Sequence, residues 1–200
     1  MQNATTSVHF SSLTAPCSGA YSSLDACAGS RQGFWVRNPH TESELHQGLL
    51  EEQHFPAASF DVVTLFEVIE HLPAPMALLH ECHRILRPNG ILVASTGNTA
   101  SWTVAAMQAR WDYFQIAQDA GHVSFFNPRS IALVAARTGF GVAHIGTTRV
   151  RFFEESAAPR WLYRLGKIAA EFANLPARLL GTGHDMLVFL RRHASPRHNK

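Results

Sequence analysis

FDVVTLFEVIEHLPAPMALLHECHRILRPNGILVASTGN, residues 60–98, reads as a strand, a turn, a helix and a second strand. After Asp61, the residues Val62, Val63, Leu65 and Phe66 put β-branched and aromatic side chains on both faces, as in a strand covered on both sides of a parallel sheet. Pro73 and Pro75 punctuate the turn, and Met76, Leu79, His83 and Leu86 recur at helical spacing. Arg87-Pro88-Asn89-Gly90 stops the helix, and the next strand is Ile91–Ser95. Parallel strands joined by so short a helical unit require a right-handed crossover. The fold class expected is α/β, with a mostly parallel sheet and helices on both faces.

Outward from this unit the chain continues in the same style. In NPRSIALVAARTGF, Asn127 is a helix N-cap, Pro128 sits at the first helical position and Gly139 follows the last turn; a short strand, Gly141 to Ile145, comes next. Met186 to Leu190 alternates as a closing strand at the sheet edge. Residues 160–180 form an amphipathic helical insertion, with Trp161, Leu165, Ile168, Phe172 and Leu175 at near-helical spacing and Arg160, Arg164, Lys167 and Arg178 elsewhere. Such a helix either packs on the sheet or lies on a membrane surface, and Pro176 is expected to bend or end it. The domain reading is a divergent segment at 1–44, the main domain at 45–192 and a basic tail at 193–200.

The chain has 200 residues, 46% hydrophobic and 16% charged, which suits one globular domain. No apolar run approaches the roughly 18 residues needed to span a bilayer. Net charge is +2, but residues 1–100 hold 4 basic and 9 acidic side chains against 13 and 6 in residues 101–200. The asymmetry suits an anionic substrate or surface on the C-terminal side, or simply a mixed solvated surface. Cys17, Cys27 and Cys82 are too few and too scattered for a disulfide framework, and residues 1–23 resemble neither a signal nor a transit peptide, so a cytoplasmic protein is expected. The short basic tail alone does not suggest nucleic-acid binding.

In an open parallel sheet, ligands bind beyond the carboxyl ends of the strands. Two segments occupy that position: Glu67-Val68-Ile69-Glu70-His71 and Ser95-Thr96-Gly97-Asn98. Together with Phe60-Asp61-Val62-Val63, the helix end Arg84 to Gly90 and the later Gly121-His122-Val123-Ser124-Phe125-Phe126-Asn127-Pro128, they resemble class I S-adenosylmethionine-dependent methyltransferases. The similarity is greatest to the branch containing ubiquinone-biosynthesis O-methyltransferases, and it covers about residues 45–150. It implies a Rossmann-like fold, S-adenosylmethionine as cofactor, and methyl transfer to a small or lipid-linked acceptor.

The resemblance also implies site residues. The turn after the fourth strand would lie beside the methyl donor, making Phe66 and Glu67 cofactor contacts and Glu70 and His71 catalytic candidates. His71 is either a general base or a structural hydrogen-bonding group at the helix start. Gly48, Leu49 and Leu50, after the third strand, would hold the adenine. Trp111 and His122 are acceptor-pocket candidates, while Phe125 and Phe126 are expected in the core. No metal is expected, because a helix turns Cys82 away from His80 and His83.

The family's glycine loop after the first strand and its ribose-binding acid are not intact. Leu24 to Gly33 contains a degenerate version in which Asp25 and Gly29 read as turn residues, and Glu42 and Glu44 sit too near the third strand to bind ribose. Between Gly29 and Gly48 lie 18 residues, whereas two helices and two strands need roughly 35 to 45. The sheet is thus expected to be incomplete at its N-terminus, with a central edge exposed. A truncated copy, a rebuilt N-terminus and a non-catalytic binding module all fit this departure.

Overall fold

The computed structural model describes residues 7–11, 33–37, 44–47, 49–114, 122–152 and 159–193. Seven strands form one sheet: β1 (Ser7–Ser11), β2 (Gly33–Arg37), β3 (Glu44–Gln47), β4 (Phe60–Phe66), β5 (Leu86–Gly97), β6 (Phe140–Thr148) and β7 (Asp185–Arg192). Four helices accompany them: α1 (Pro75–Ile85), α2 (Trp102–Met107), α3 (Pro128–Arg137) and α4 (Arg160–Leu180). The strand order is β3-β2-β1-β4-β5-β7-β6.

β1, β4 and β5 pair in parallel, as the residue 60–98 reading requires. β2 runs antiparallel to both β1 and β3, and β7 antiparallel to both β5 and β6. Five of the seven strands therefore point the same way. The α/β class and the dominant strand direction hold, with the N-terminal third differing in connection. Only residues 38–43 separate β2 from β3, too few for a helical crossover, so these strands meet as an antiparallel pair.

Two expectations about edges are corrected. β4 does not present an open edge, because Ser7–Ser11, in the segment read as divergent, pairs along it from Ser7↔Val62 to Ser11↔Phe66. β7 is not the edge strand. It lies between β5 and β6 and alternates buried Met186, Val188 and Leu190 with partly exposed neighbours, while β6 forms the edge. Alternation marks a strand but does not say which neighbours it takes.

α1 begins with proline at its first turn and buries Leu78, Leu79, Cys82 and Ile85. The stripe is rotated from the expected one: Met76 and His83 are half-buried, and Leu86 already belongs to β5. Cys82 is a buried free thiol, and burial raises its pKa. Asn127 caps α3 as expected, its Oδ1 accepting from Ser130 N at 2.9 Å while Asn127 N donates to Ser130 Oγ at 2.9 Å. The main core joins Val63, Leu65, Leu79, Ile85, Leu92, Ile131, Val188 and Leu190. A smaller cluster joins Val150, Ala170 and Ala177, with Trp102 and Phe152 against it.

α4 continues through Pro176 to Leu180 and closes on Gly181 in the left-handed conformation (φ 69°). Proline's fixed φ is helical, and its missing N–H falls at an exposed position of this helix. No described helix is long and apolar enough to cross a membrane.

Candidate functional site

β1, β4 and β5 end on one margin of the sheet: Ser11 lies opposite Phe66, and Phe66 opposite Ser95. Glu67 leaves β4 with φ 53°, a left-handed conformation that a non-glycine residue adopts at a cost. Its N–H reaches Ser95 Oγ at 3.2 Å and Ser95 O at 3.3 Å, and its Oε1 accepts from Ser95 Oγ at 2.8 Å. Its Oε2 accepts from the Tyr113 hydroxyl. Glu67 is thereby fixed by one residue of β5 and one from the segment beyond α2.

A short 3-10 turn, Ile69–His71, follows. Glu70 is 1% exposed, and neither carboxylate oxygen has a hydrogen-bond partner among the described residues. Burial, and then the charge of Glu67, push its carboxyl up to about 8. The Glu70 carbonyl is, by contrast, doubly engaged: it accepts from Val123 N at 2.8 Å and Ser124 N at 2.9 Å, while Ser124 Oγ donates to Leu72 O at 2.7 Å. These bonds bring His122 onto the turn across about fifty residues of chain. Its ring lies 4.6 Å from that of His71.

The rings continue as a stack. Tyr113 lies against His122 on one side, at 4.5 Å, and against Trp111 on the other, at 4.8 Å. Burial and the neighbouring Glu67 carboxylate raise the Tyr113 pKa, so its hydroxyl stays a donor. A Cβ on Gly97 would stand 2.7 Å from Tyr113 and 3.0 Å from Trp111, so only glycine lets the stack seat on β5. Trp111 Nε1 donates to Nδ1 of buried His184 at 3.2 Å. Asn98, fully buried, donates from Nδ2 to Gly183 O at 2.8 Å and Gly181 O at 3.1 Å, tying the end of β5 to the start of β7 and the end of α4.

The sequence candidates thus divide. Glu67, Glu70, His71, His122 and Trp111 gather around one turn, although Trp111 is wholly buried and reaches the site through Tyr113. Phe66 is 41% exposed on the same margin. Leu49 is exposed, Leu50 is buried in the core, and Gly48 lies outside the described residues, as do Asp25, Gly29 and Glu42. Phe126 is core as expected; Phe125 is exposed and meets Phe114 edge to face at 5.2 Å. Sequence reading placed Ser95 and Gly97 in a ligand-facing segment but gave them no role, assigned none to Tyr113, and missed His184. The signal for Ser95 and Gly97 was position at the carboxyl end of β5, and His184, just before β7, had no motif.

One ligand atom from each of Glu70, His71 and His122 lies within 4.8 Å of the others. A carboxylate and two imidazoles can hold a divalent cation after a small closure, a donor set not foreseen from the sequence. The buried Glu70 carboxyl equally suits a hydrogen-bonding group of a ligand, and the charge beside it on Glu67 complements a sulfonium such as that of S-adenosylmethionine. The residues present fit the donor end of that cofactor.

A family model described as "Methyltransferase domain" matches residues 9–145. A ubiquinone biosynthesis O-methyltransferase of Psychrobacter arcticus is 33% identical over 114 residues, covering 50% of this chain and 44% of that one. A protein of Mycolicibacterium smegmatis named as an S-adenosylmethionine-dependent methyltransferase is 40% identical over 68 residues, 34% of this chain and 26% of its own. The chain thus spans less than half the length of these relatives. A solved structure from Bacillus halodurans C-125, described as a methyltransferase, superposes with TM-score 0.50 at 15% identity, over 74% of this chain and 76% of that one. It shows the shared fold.

Proposed function

Because the chain belongs to the class I S-adenosylmethionine-dependent methyltransferases, we propose that it methylates an O, N or C nucleophile of a small or lipid-linked acceptor at the turn after β4. The observation that carries this is the Glu67–Glu70–His71 turn, with His122 folded onto it and the Glu70 carboxyl buried beside Glu67. When bound, S-adenosylmethionine supplies a methyl group activated on a sulfonium and leaves as S-adenosylhomocysteine.

This chain's residues supply position and proton handling. Leu49 and Phe66 offer exposed apolar surface for the cofactor. Glu67 is held by Ser95 and Tyr113, so its contribution to the donor end is preorganised. An imidazole accepts a proton readily near neutral pH, and His71, half-buried beside Glu70, takes the proton released by the acceptor. The Glu70 carboxyl, titrating near 8, sets the charge beside it. Tyr113 and His122 form the wall that excludes water from this corner.

Calorimetric titration of the full chain with S-adenosylhomocysteine tests the reading without a known acceptor. Micromolar binding that weakens at least tenfold in Glu67→Gln is expected. A folded, monodisperse sample that does not bind would favour the second reading, a methyltransferase-like binding module. The antiparallel β2–β3 pair supports that alternative, because it leaves no helical crossover in that part of the cofactor cradle.

A further inference from the structure

α4 carries its large apolar residues on the wrong side. Trp161, Leu165, Ile168, Phe172, Leu175 and Leu179 follow one another at alternating spacings of four and three, a continuous stripe along the helix. They are exposed by 65, 56, 56, 81, 67 and 78%, respectively. The face turned to the protein is built mainly on small or polar residues, with Ala170 and Ala177 buried, Ala173 packed beside them and Asn174 accepting from Val150 N at 2.8 Å, while Leu162 and Tyr163 are half-buried near its start. A helix anchored by alanines and showing a tryptophan, a phenylalanine and four aliphatic residues outward does not use its apolar stripe to cover the sheet.

We infer that α4 is a docking face for an anionic phospholipid membrane, which it enters lengthwise with the Trp161–Leu179 stripe while the flanking cations meet the lipid phosphates. Four cations, Arg160, Arg164, Lys167 and Arg178, accompany one acid, Glu171, on this helix. Arg149 and Arg151 join Lys167 along a groove on its flank. An apolar stripe bordered by Arg and Lys, in a helix unable to span a bilayer, is the pattern of an interfacial helix.

A second copy is the competing occupant, since the spacing also suits helix pairing. Charge argues against it. In the antiparallel pairing that matches the stripe to itself, Arg164 comes opposite Arg178 and Glu171 near Glu171, like against like. In the parallel pairing, Arg164 faces Ala169 and Glu171 faces Pro176, with no attraction. An anionic surface satisfies all four cations at once.

Docking here would serve the active site directly. The end of α4 is bonded to Asn98 at Gly181, and Gly183 and His184 lead from it to the Trp111–Tyr113 stack. A membrane under α4 therefore lies against the element that borders the proposed acceptor corner, and this extension to a lipid-linked acceptor rests on the methyltransferase reading.

The test is co-sedimentation of the full chain with phosphatidylcholine vesicles and with vesicles containing about one-third phosphatidylglycerol. Expected is pelleting with the anionic vesicles alone, reduced at least fivefold by 0.5 M salt, by the Arg164→Glu/Lys167→Glu pair, or by Phe172→Ser/Leu179→Ser. Circular dichroism and gel filtration of the exposed-face variants report folding separately. No pelleting with either vesicle, equal pelleting with both, or a wild-type dimer that Phe172→Ser converts to monomer would overturn the proposal. Titration with S-adenosylhomocysteine without lipid separates its failure from failure of the catalytic reading.

Discussion

α1 and α4 are both amphipathic, yet they bury opposite halves of themselves. α1 turns Leu78, Leu79, Cys82 and Ile85 into the core and leaves Glu81 and Arg84 paired at its surface. α4 turns Ala170 and Ala177 inward and presents its aromatic and aliphatic stripe to the outside. The difference teaches that periodicity reports that a helix has two faces, whereas the sheet decides which face it can accept. Above β4, β5 and β7 there is a wide apolar surface for large side chains. Beside β6 and the Val150 segment the helix approaches closely, and small residues allow that approach.

Truncating each face breaks or sharpens the contrast. Leu79→Ala should cost about 2–5 kcal/mol of unfolding free energy, because it removes buried contacts and leaves a cavity, whereas Phe172→Ala should change stability by less than about 0.5 kcal/mol. Equal costs in urea denaturation would mean that the stripe on α4 is already covered within the monomer.

The turn preceding α1 offers a second contrast, a buried polar group instead of an exposed apolar one. The Glu70 carboxyl is raised from 4.5 to about 8 on folding, so the native state holds its proton more tightly than the unfolded chain. Its stabilising contribution is complete below about pH 4.5 and lost as pH rises through about 8. Between those limits wild-type stability should fall by up to about 1.4 kcal/mol per pH unit through this group. Glu70→Gln should flatten the slope, and urea midpoints at pH 5, 6.5 and 8 check it.

Asn98→Ala should cost about 1–3 kcal/mol, since it strands the buried Gly183 carbonyl and frees the end of α4. Differential scanning calorimetry measures this, and a smaller loss would place the anchoring of α4 in its alanine face. A smaller loss is expected in α3, an inward-facing helix like α1: Asn127→Ala should lose about 1 kcal/mol from the cap, seen as a lowered urea midpoint without a change in slope.

Local chemistry explains which parts of this molecule were legible. β4, α1, β5, α3, β6 and β7 announce themselves through proline at a first turn, asparagine at a cap, glycine at an end and runs of β-branched residues, all effects within a few positions. The position of β7 between β5 and β6 depends on pairing across the whole chain, and local alternation carries no information about it. β1 is similar: Ser7–Ser11 alternates polar and apolar residues over only five positions, and its place depends on β2 and β4, which it pairs with. In the candidate site, Glu67, Glu70 and His71 could be proposed together because they lie within five residues of chain. The bonds of Tyr113 and Ser95 to Glu67 could not, because only the folded chain brings these three residues together.

The insertion of β7 between β5 and β6 also sets an order of events during synthesis. β5 ends at Gly97 and β6 at Thr148, but the strand that joins them spans Asp185–Arg192. Until those residues have left the ribosome, the nascent chain carries two unpaired strand edges facing a gap one strand wide, which chaperones or neighbouring chains can occupy. The half-sheet from β1 to β5 can pair early, whereas closure of the other half must wait for the last strand. A ribosome stalled before residue 185 would hold a protein with the margin of β1, β4 and β5 paired and the rest of its sheet still open.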